Sequence, residues 1–349
     1  MKRPKKIQRL YFAAALVLLM SCGGSSSSPF LGHEVLFRSQ YLGEYLQKQG
    51  SEYLVSVSRN TPTEKGLGLV RLKLDDLSLE VLDESAVEAK DIFLSEKDIA
   101  FRDRDLVSWI SNEEKRALSD FSTKKLSGFS SLENFWFFSF KDSEDQNHAL
   151  CISKTDDSFN SIALDAEVIK QEGFNLWVQS NEGVQLLKLS SCENLSVESV
   201  QTILPQIKTQ YLQTHRWNNK TQLAYLDEGD GCLKHVILNE AYGLESQKIV
   251  DGKPDDSYVG MDIQFFEWES QLGLLYLDGW ELSPKIALFD GATWKTQSLP
   301  AYGASGFYNQ VLQVEGNELI AAWHSFRTAF SNDDVSFEDL VLARIRLDF

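Results

Sequence analysis

The residues that could do chemistry are numerous but scattered. Five histidines, His33, His148, His215, His235 and His324, show no metal-ligand spacing. With 51 carboxylates, some pairs must fall within the roughly 5 to 9.5 Å that a glycosidase needs, but no motif marks one pair out. Asp227-Glu228-Gly229-Asp230-Gly231 and Asp251-Gly252-Lys253-Pro254-Asp255-Asp256 carry oxygen donors. Neither has the alternating donors and terminal bidentate Glu of a calcium loop, and the first reads as a hairpin turn. No Gly-x-Ser-x-Gly, His-Glu-x-x-His, P-loop or dinucleotide fingerprint is present, so no catalytic residue, metal or cofactor is expected. The two most suggestive polar-aromatic groupings are His215-Arg216-Trp217 and Trp323-His324-Ser325-Phe326-Arg327. Packing and snorkelling side chains are the favoured account of both, ahead of ligand binding.

Four cysteines divide into one near the N-terminus and three in the body, Cys151, Cys192 and Cys232. No pair has zinc-type spacing. At most one disulfide can form among three, and buried free thiols are the expected state.

The N-terminus is more specific. Lys2 to Arg9 is basic, and Leu10 to Met20 is an unbroken apolar stretch, too short to span a bilayer that needs about 20 residues. It reads as a secretory signal over 1–21. Leu19-Met20-Ser21-Cys22 resembles the bacterial lipobox, with a branched apolar residue, a small residue and a Cys whose thiol receives lipid. Gly23-Gly24 and Ser25 to Ser28 follow as a small, uncharged tether over 22–32. The resemblance implies a lipoprotein whose acyl chains, each methylene contributing about 0.8 kcal/mol, are its membrane anchor. Gly23, where an inner-membrane retention signal would have Asp, favours the outer membrane of a diderm.

Charge narrows the partners. The formal net charge is −17, and the five cations and no acids of residues 1–21 leave a mature chain of −22. A surface this acidic repels nucleic-acid phosphates and anionic headgroups, so neither is expected as a partner.

The positioning elements are strands. From residue 50 onward, short apolar or aromatic runs are broken by polar turns every 8 to 12 residues. Seven runs stand out, starting at residues 53, 98, 135, 175, 222, 272 and 318, spaced by 37 to 50 residues and on average about 44. Each is followed by a second and usually a third strand. Segments such as Asp262 to Glu267 and Asn309 to Val314 supply one before. Period and strand grammar over residues 33–349 resemble the β-propellers, of WD40 or kelch type in spacing, and imply seven four-stranded blades. Misphasing would give six or eight. The runs are continuous rather than alternating, as for sheets covered on both faces. The last unit lacks a fourth strand, and His33 to Phe37 is free to supply it.

Asp290-Gly291-Ala292-Thr293-Trp294 resembles part of the sialidase Asp box, but Phe289 and Ala287 occupy that box's Asp and Ser positions. A turn feeding an outer strand is the expectation.

These readings imply a lipid-anchored envelope protein that binds a protein or glycan partner by one propeller face, the alternative being a glycan-active enzyme. The long connections expected on that face are Gln210 to Trp217, Asp251 to Tyr258, Ala301 to Tyr308 and His324 to Glu338. They place Tyr211, His215, Arg216, Trp217, Tyr258, Tyr302, Tyr308, Phe326, Arg327 and Phe330 as binding candidates, because Tyr, Trp and Arg anchor interfaces. Cys22 is the lipidation site.

Overall fold

A computed structural model describes residues 33–40, 42, 44–59, 65–299, 304–328 and 336–347. The signal segment, the tether with Cys22, Tyr302 and Phe330 lie outside the described residues. For Phe326 and Arg327 only the backbone is described.

The chain forms seven four-stranded antiparallel sheets. In each blade the chain moves outward, from an inner strand through a second and third to an outer one. Blade 5, for example, runs Thr209–Trp217, Lys220–Asp227, Leu233–Leu238 and Leu244–Asp251. Blade 7 is the exception. Its first three strands are Ala304–Glu315, Glu318–Thr328 and Ser336–Arg346, and its outer strand is His33–Gln40 from the other end of the chain. His33 pairs with Ile345 and Gln40 with Asp339. The N-terminal segment therefore closes the ring, as its apolar pattern and the missing fourth strand imply, and covers an edge that would otherwise be open.

The core is divided into seven apolar clusters, each lying between two neighbouring blades. Side chains alternate across a strand, so one run serves two clusters. In Gln271–Asp278 of blade 6, Leu274 and Tyr276 pack toward Ala224 and Leu233 of blade 5, whereas Leu275 packs toward Leu319 and Trp323 of blade 7. This is the physical origin of the unbroken apolar runs.

One expectation fails. Cys151 and Cys192 form a disulfide, with Cα atoms 5.5 Å apart. It ties the third strand of blade 3, Asn147–Ser153, to the turn that follows the third strand of blade 4, Gly183–Leu189. Cysteines 41 residues apart meet because neighbouring blades lie side by side. Among the described residues Cys232 is the one free thiol, and it is buried.

Candidate binding face and channel mouth

All seven inner strands run the same way through the ring, so their starts gather at one mouth and their ends at the other. The links between blades and the second-to-third hairpins lie at the first mouth. The first-to-second hairpins lie at the opposite face. The sequence grouping is split by this rule, because Gln210 to Trp217 is not a connection but most of blade 5's inner strand. Gln210 is at its start, where Oε1 accepts the Tyr258 hydroxyl at 2.7 Å. His215, Arg216 and Trp217 are at its end. Tyr258 and Tyr308 therefore share the first mouth, and His215-Arg216-Trp217 belongs to the other face.

The inner strands share a feature that strand periodicity conceals. In five consecutive blades of the ring, 5, 6, 7, 1 and 2, the pairing of inner and second strand skips two residues at one level: Tyr211-Leu212, Asp262-Ile263, Tyr308-Asn309, Tyr45-Leu46 and Asp91-Ile92. The first residue of each pair is left-handed, with φ between 46° and 53°, and the second is buried. Such bulges re-aim side chains. Here they set a belt of Tyr and Asp around the channel. Three members reach the next blade: Asp262 Oδ2 accepts the Tyr308 amide at 2.9 Å, the Tyr308 and Tyr45 rings lie 5.0 Å apart, and Asp91 Oδ2 accepts the Leu126 amide at 3.2 Å.

The two belt carboxylates differ in charge compensation. Asp91 is paired with Arg102 Nε at 2.9 Å. Arg102 stands opposite Lys90 in the second strand, and the equivalent residue in blade 6, opposite Met261, is Leu277. Asp262 accordingly has no cation within ion-pair distance among the described residues. Burial, only partly offset by the Tyr308 amide, pushes its pKa up to about 6. Burial also raises Tyr211 to about 12, assisted by the charges of Asp262 and Tyr258.

Nearby acids are handled otherwise. Lys234 Nζ lies 2.7 Å from Asp227 and 2.6 Å from Asp230, so the first calcium-like stretch is a hairpin neutralised by a lysine. In blade 6, Lys285 lies 2.6 Å from Asp278, 3.4 Å from Asp251 and 3.6 Å from Glu281. Burial opposes its charge, but these carboxylates outweigh it and raise its pKa. Asp290 also has a structural task. Its Oδ1 accepts the Ala292 and Thr293 amides at 2.8 Å, shaping the turn before the outer strand Trp294–Ser298.

Outside the belt, the mouth exposes apolar surface. Trp280, which sequence reasoning missed, sits in the second-to-third hairpin of blade 6 and is 77% exposed. Leu282 follows in the same hairpin. The hairpin's Gly279 amide bonds the Tyr258 carbonyl at 2.9 Å, placing Trp280 beside Tyr258, itself 37% exposed. Tyr211, 36% exposed, lies just inside.

On the opposite face, the first hairpins of blades 5 and 6 enclose an open groove of about 550 Å³, lined by Arg216, Trp217, Asn218, Asn219, Glu267, Glu269 and Ser270. His215 braces one wall, with Nε2 2.8 Å from Glu267 Oε1 and its ring stacked on Phe265. Two other histidines are packing elements. His148 stacks on Phe140 and pairs with Asp142 at 2.8 Å, and buried His235 bonds Gln222 at 2.9 Å.

No protein-family model matches the sequence, and no curated protein matches it. Solved structures do match its fold. The CNH domain of AfRom2 is 12% identical with a TM-score of 0.56, the alignment covering 91% of this chain and 99% of that one. Kluyveromyces lactis Hsv2 is 12% identical with a TM-score of 0.54, covering 89% and 100%. The dihydro-heme d1 dehydrogenase NirN in complex with DHE is 10% identical with a TM-score of 0.53, covering 88% and 68%. Identities this low establish a shared propeller architecture and leave function to the site.

Proposed function

We propose that this protein is a lipid-anchored binding protein of the bacterial cell envelope, at the outer membrane in a diderm, which docks a protein partner on the mouth bearing Tyr211, Tyr258 and Trp280. One observation supports this reading above others, the direction of the closing strand. His33 lies beside Ile345, at the end of the third strand of blade 7 and hence at the face opposite the aromatic mouth. An anchor at Cys22 would enter from that face. Its tether of 11 residues reaches at most about 40 Å. The membrane would lie behind the ring, and the aromatic mouth would look away from it, open to partners. An exposed Trp with flanking Tyr is the residue class that dominates interface energetics.

The glycan-active alternative needs two facing carboxylates. Of the belt pair, Asp91 is committed to Arg102, so binding is the better use of the mouth. The test is recovery of envelope proteins on the wild type and on a Tyr258→Ala, Trp280→Ala variant of equal melting temperature. A partner held by the wild type and lost by the variant is the expected result. Equal recovery would overturn the assignment of this face.

A further inference from the structure

We propose that Asp262, flanked by Tyr211 and Tyr308, is a recognition site for one organic cation, the ammonium or guanidinium of a Lys or Arg side chain that a docking partner inserts into the channel mouth. The proposal deepens the partner-binding reading and rests on it for the source of the cation.

The ring supplies its own comparison. Two of its bulges present an aspartate at the same level of the inner strand. In blade 2 the carboxylate meets an internal guanidinium, Arg102 at 2.9 Å. In blade 6 the residue equivalent to Arg102 is Leu277, which is buried and cannot take that role. Asp262 uses Oδ2 to hold the next inner strand through the Tyr308 amide, and Oδ1 makes no hydrogen bond among the described residues. The buried Asp227 and Asp278 of blades 5 and 6 meet lysines, Lys234 and Lys285, on their own third strands. Asp262 thus differs from the buried Asp227 and Asp278 of the same two blades, which have a lysine each.

Its surroundings suit a cation. Tyr211, in the preceding blade and 36% exposed, offers an aromatic face, and such a face attracts a cation within about 6 Å of its centroid; Tyr308, in the following blade, fixes the carboxylate through its amide. Tyr308 is further steadied by the Tyr45 ring at 5.0 Å and by stacking on His324. Tyr211 is 36% exposed, so it belongs both to the belt and to the surface that would hold the partner. The mature chain's −22 charge favours encounter with basic segments over acidic ones.

Saturation-transfer NMR on the full mature chain tests the site, with N-acetyl-lysine methylamide as the probe and its Nε-acetylated form and n-butylammonium as comparators. Binding of the first at low millimolar concentration, loss on Nε-acetylation, and weakening of at least about tenfold in Asp262→Asn are expected, since one full charge contact is removed. Tyr211→Ala should weaken binding by about threefold or more, the scale of a cation–π contact. The Asn amide oxygen can still accept the Tyr308 amide, so the substitution leaves the belt in place. No binding by the wild type, or equal binding by Asp262→Asn, would overturn the site. Tighter binding of n-butylammonium than of the lysine derivative would overturn the partner side chain as its source. Partner recovery through Tyr258 and Trp280 is measured separately, so failure of the cation site is distinguishable from failure of the docking face.

Discussion

A carboxyl held without a cation should cost the fold stability, and the cost is measurable at Asp262. In the unfolded chain this group has the ordinary value of 3.8, and in the fold it is pushed up to about 6 by burial. Between those values the folded chain binds more protons than the unfolded one, so stability falls as pH rises through this window and stays low above it. A difference of about two pKa steps corresponds to roughly 3 kcal/mol at about 1.36 kcal/mol each. Asp262→Asn removes the charge and keeps an oxygen for the Tyr308 amide. The variant should be more stable than wild type by about 3 kcal/mol at pH 8, a rise in melting temperature of about 4 °C for a domain this large. At about pH 4 the two should melt together. The titratable groups of the belt and its surroundings do not disturb the comparison: Tyr45, Tyr211, Tyr258 and Tyr308 are all raised above their ordinary value of 10.0, and buried His324, lowered to about 4, is common to both proteins. Melting curves at the two pH values are the assay. A variant less stable than wild type at pH 8, or a difference independent of pH, would refute the claim that this carboxyl is uncompensated.

Three other predictions follow from the fold. Closing a loop of 41 residues, the Cys151–Cys192 bridge should contribute about 4 kcal/mol by chain entropy; a Cys151→Ser, Cys192→Ser variant with the wild-type denaturation midpoint would show that the bridge does not form. Deleting His33 to Gln40 exposes the Ser336–Arg346 edge and should lower the melting temperature far more than deleting Ser25 to Ser28. Equal losses would detach the N-terminal strand from the ring. Cys22→Ala should abolish labelling by an alkyne fatty acid, and equal labelling of variant and wild type would sink the lipid anchor.

The sequence made the second strands plain because each is packed on both sides, which leaves a run such as Leu274 to Leu277 with no polar interruption. The closing strand was legible for the complementary reason, an apolar segment with no blade of its own beside a blade one strand short. The inner strands were hidden because they face the channel. Thr209–Trp217 is largely polar, and its bulge at Tyr211-Leu212 breaks the two-residue alternation, so it reads as a loop. A signal was nevertheless present in the recurrence of Tyr45-Leu46-Gln47, Tyr211-Leu212-Gln213, Asp262-Ile263-Gln264 and Tyr308-Asn309-Gln310 at corresponding places in the repeat. Cys151 and Cys192, close to one repeat apart, offered a similar clue to a bridge between adjacent blades. Trp280 gave none, since its exposure depends on the Gly279–Tyr258 contact that orients its hairpin. That Asp262 lacks a cation could be seen only once Arg102 and Leu277 were aligned by strand register.

The most direct measurement of the central claim, that the aromatic mouth is the docking face, is photo-crosslinking in intact envelopes with a photoreactive residue placed singly at Trp280 or at Asn218 on the opposite face. A discrete protein adduct from position 280, absent from position 218 and reduced by Tyr258→Ala, is the predicted result. An adduct from position 218 alone, or none from position 280, would contradict it.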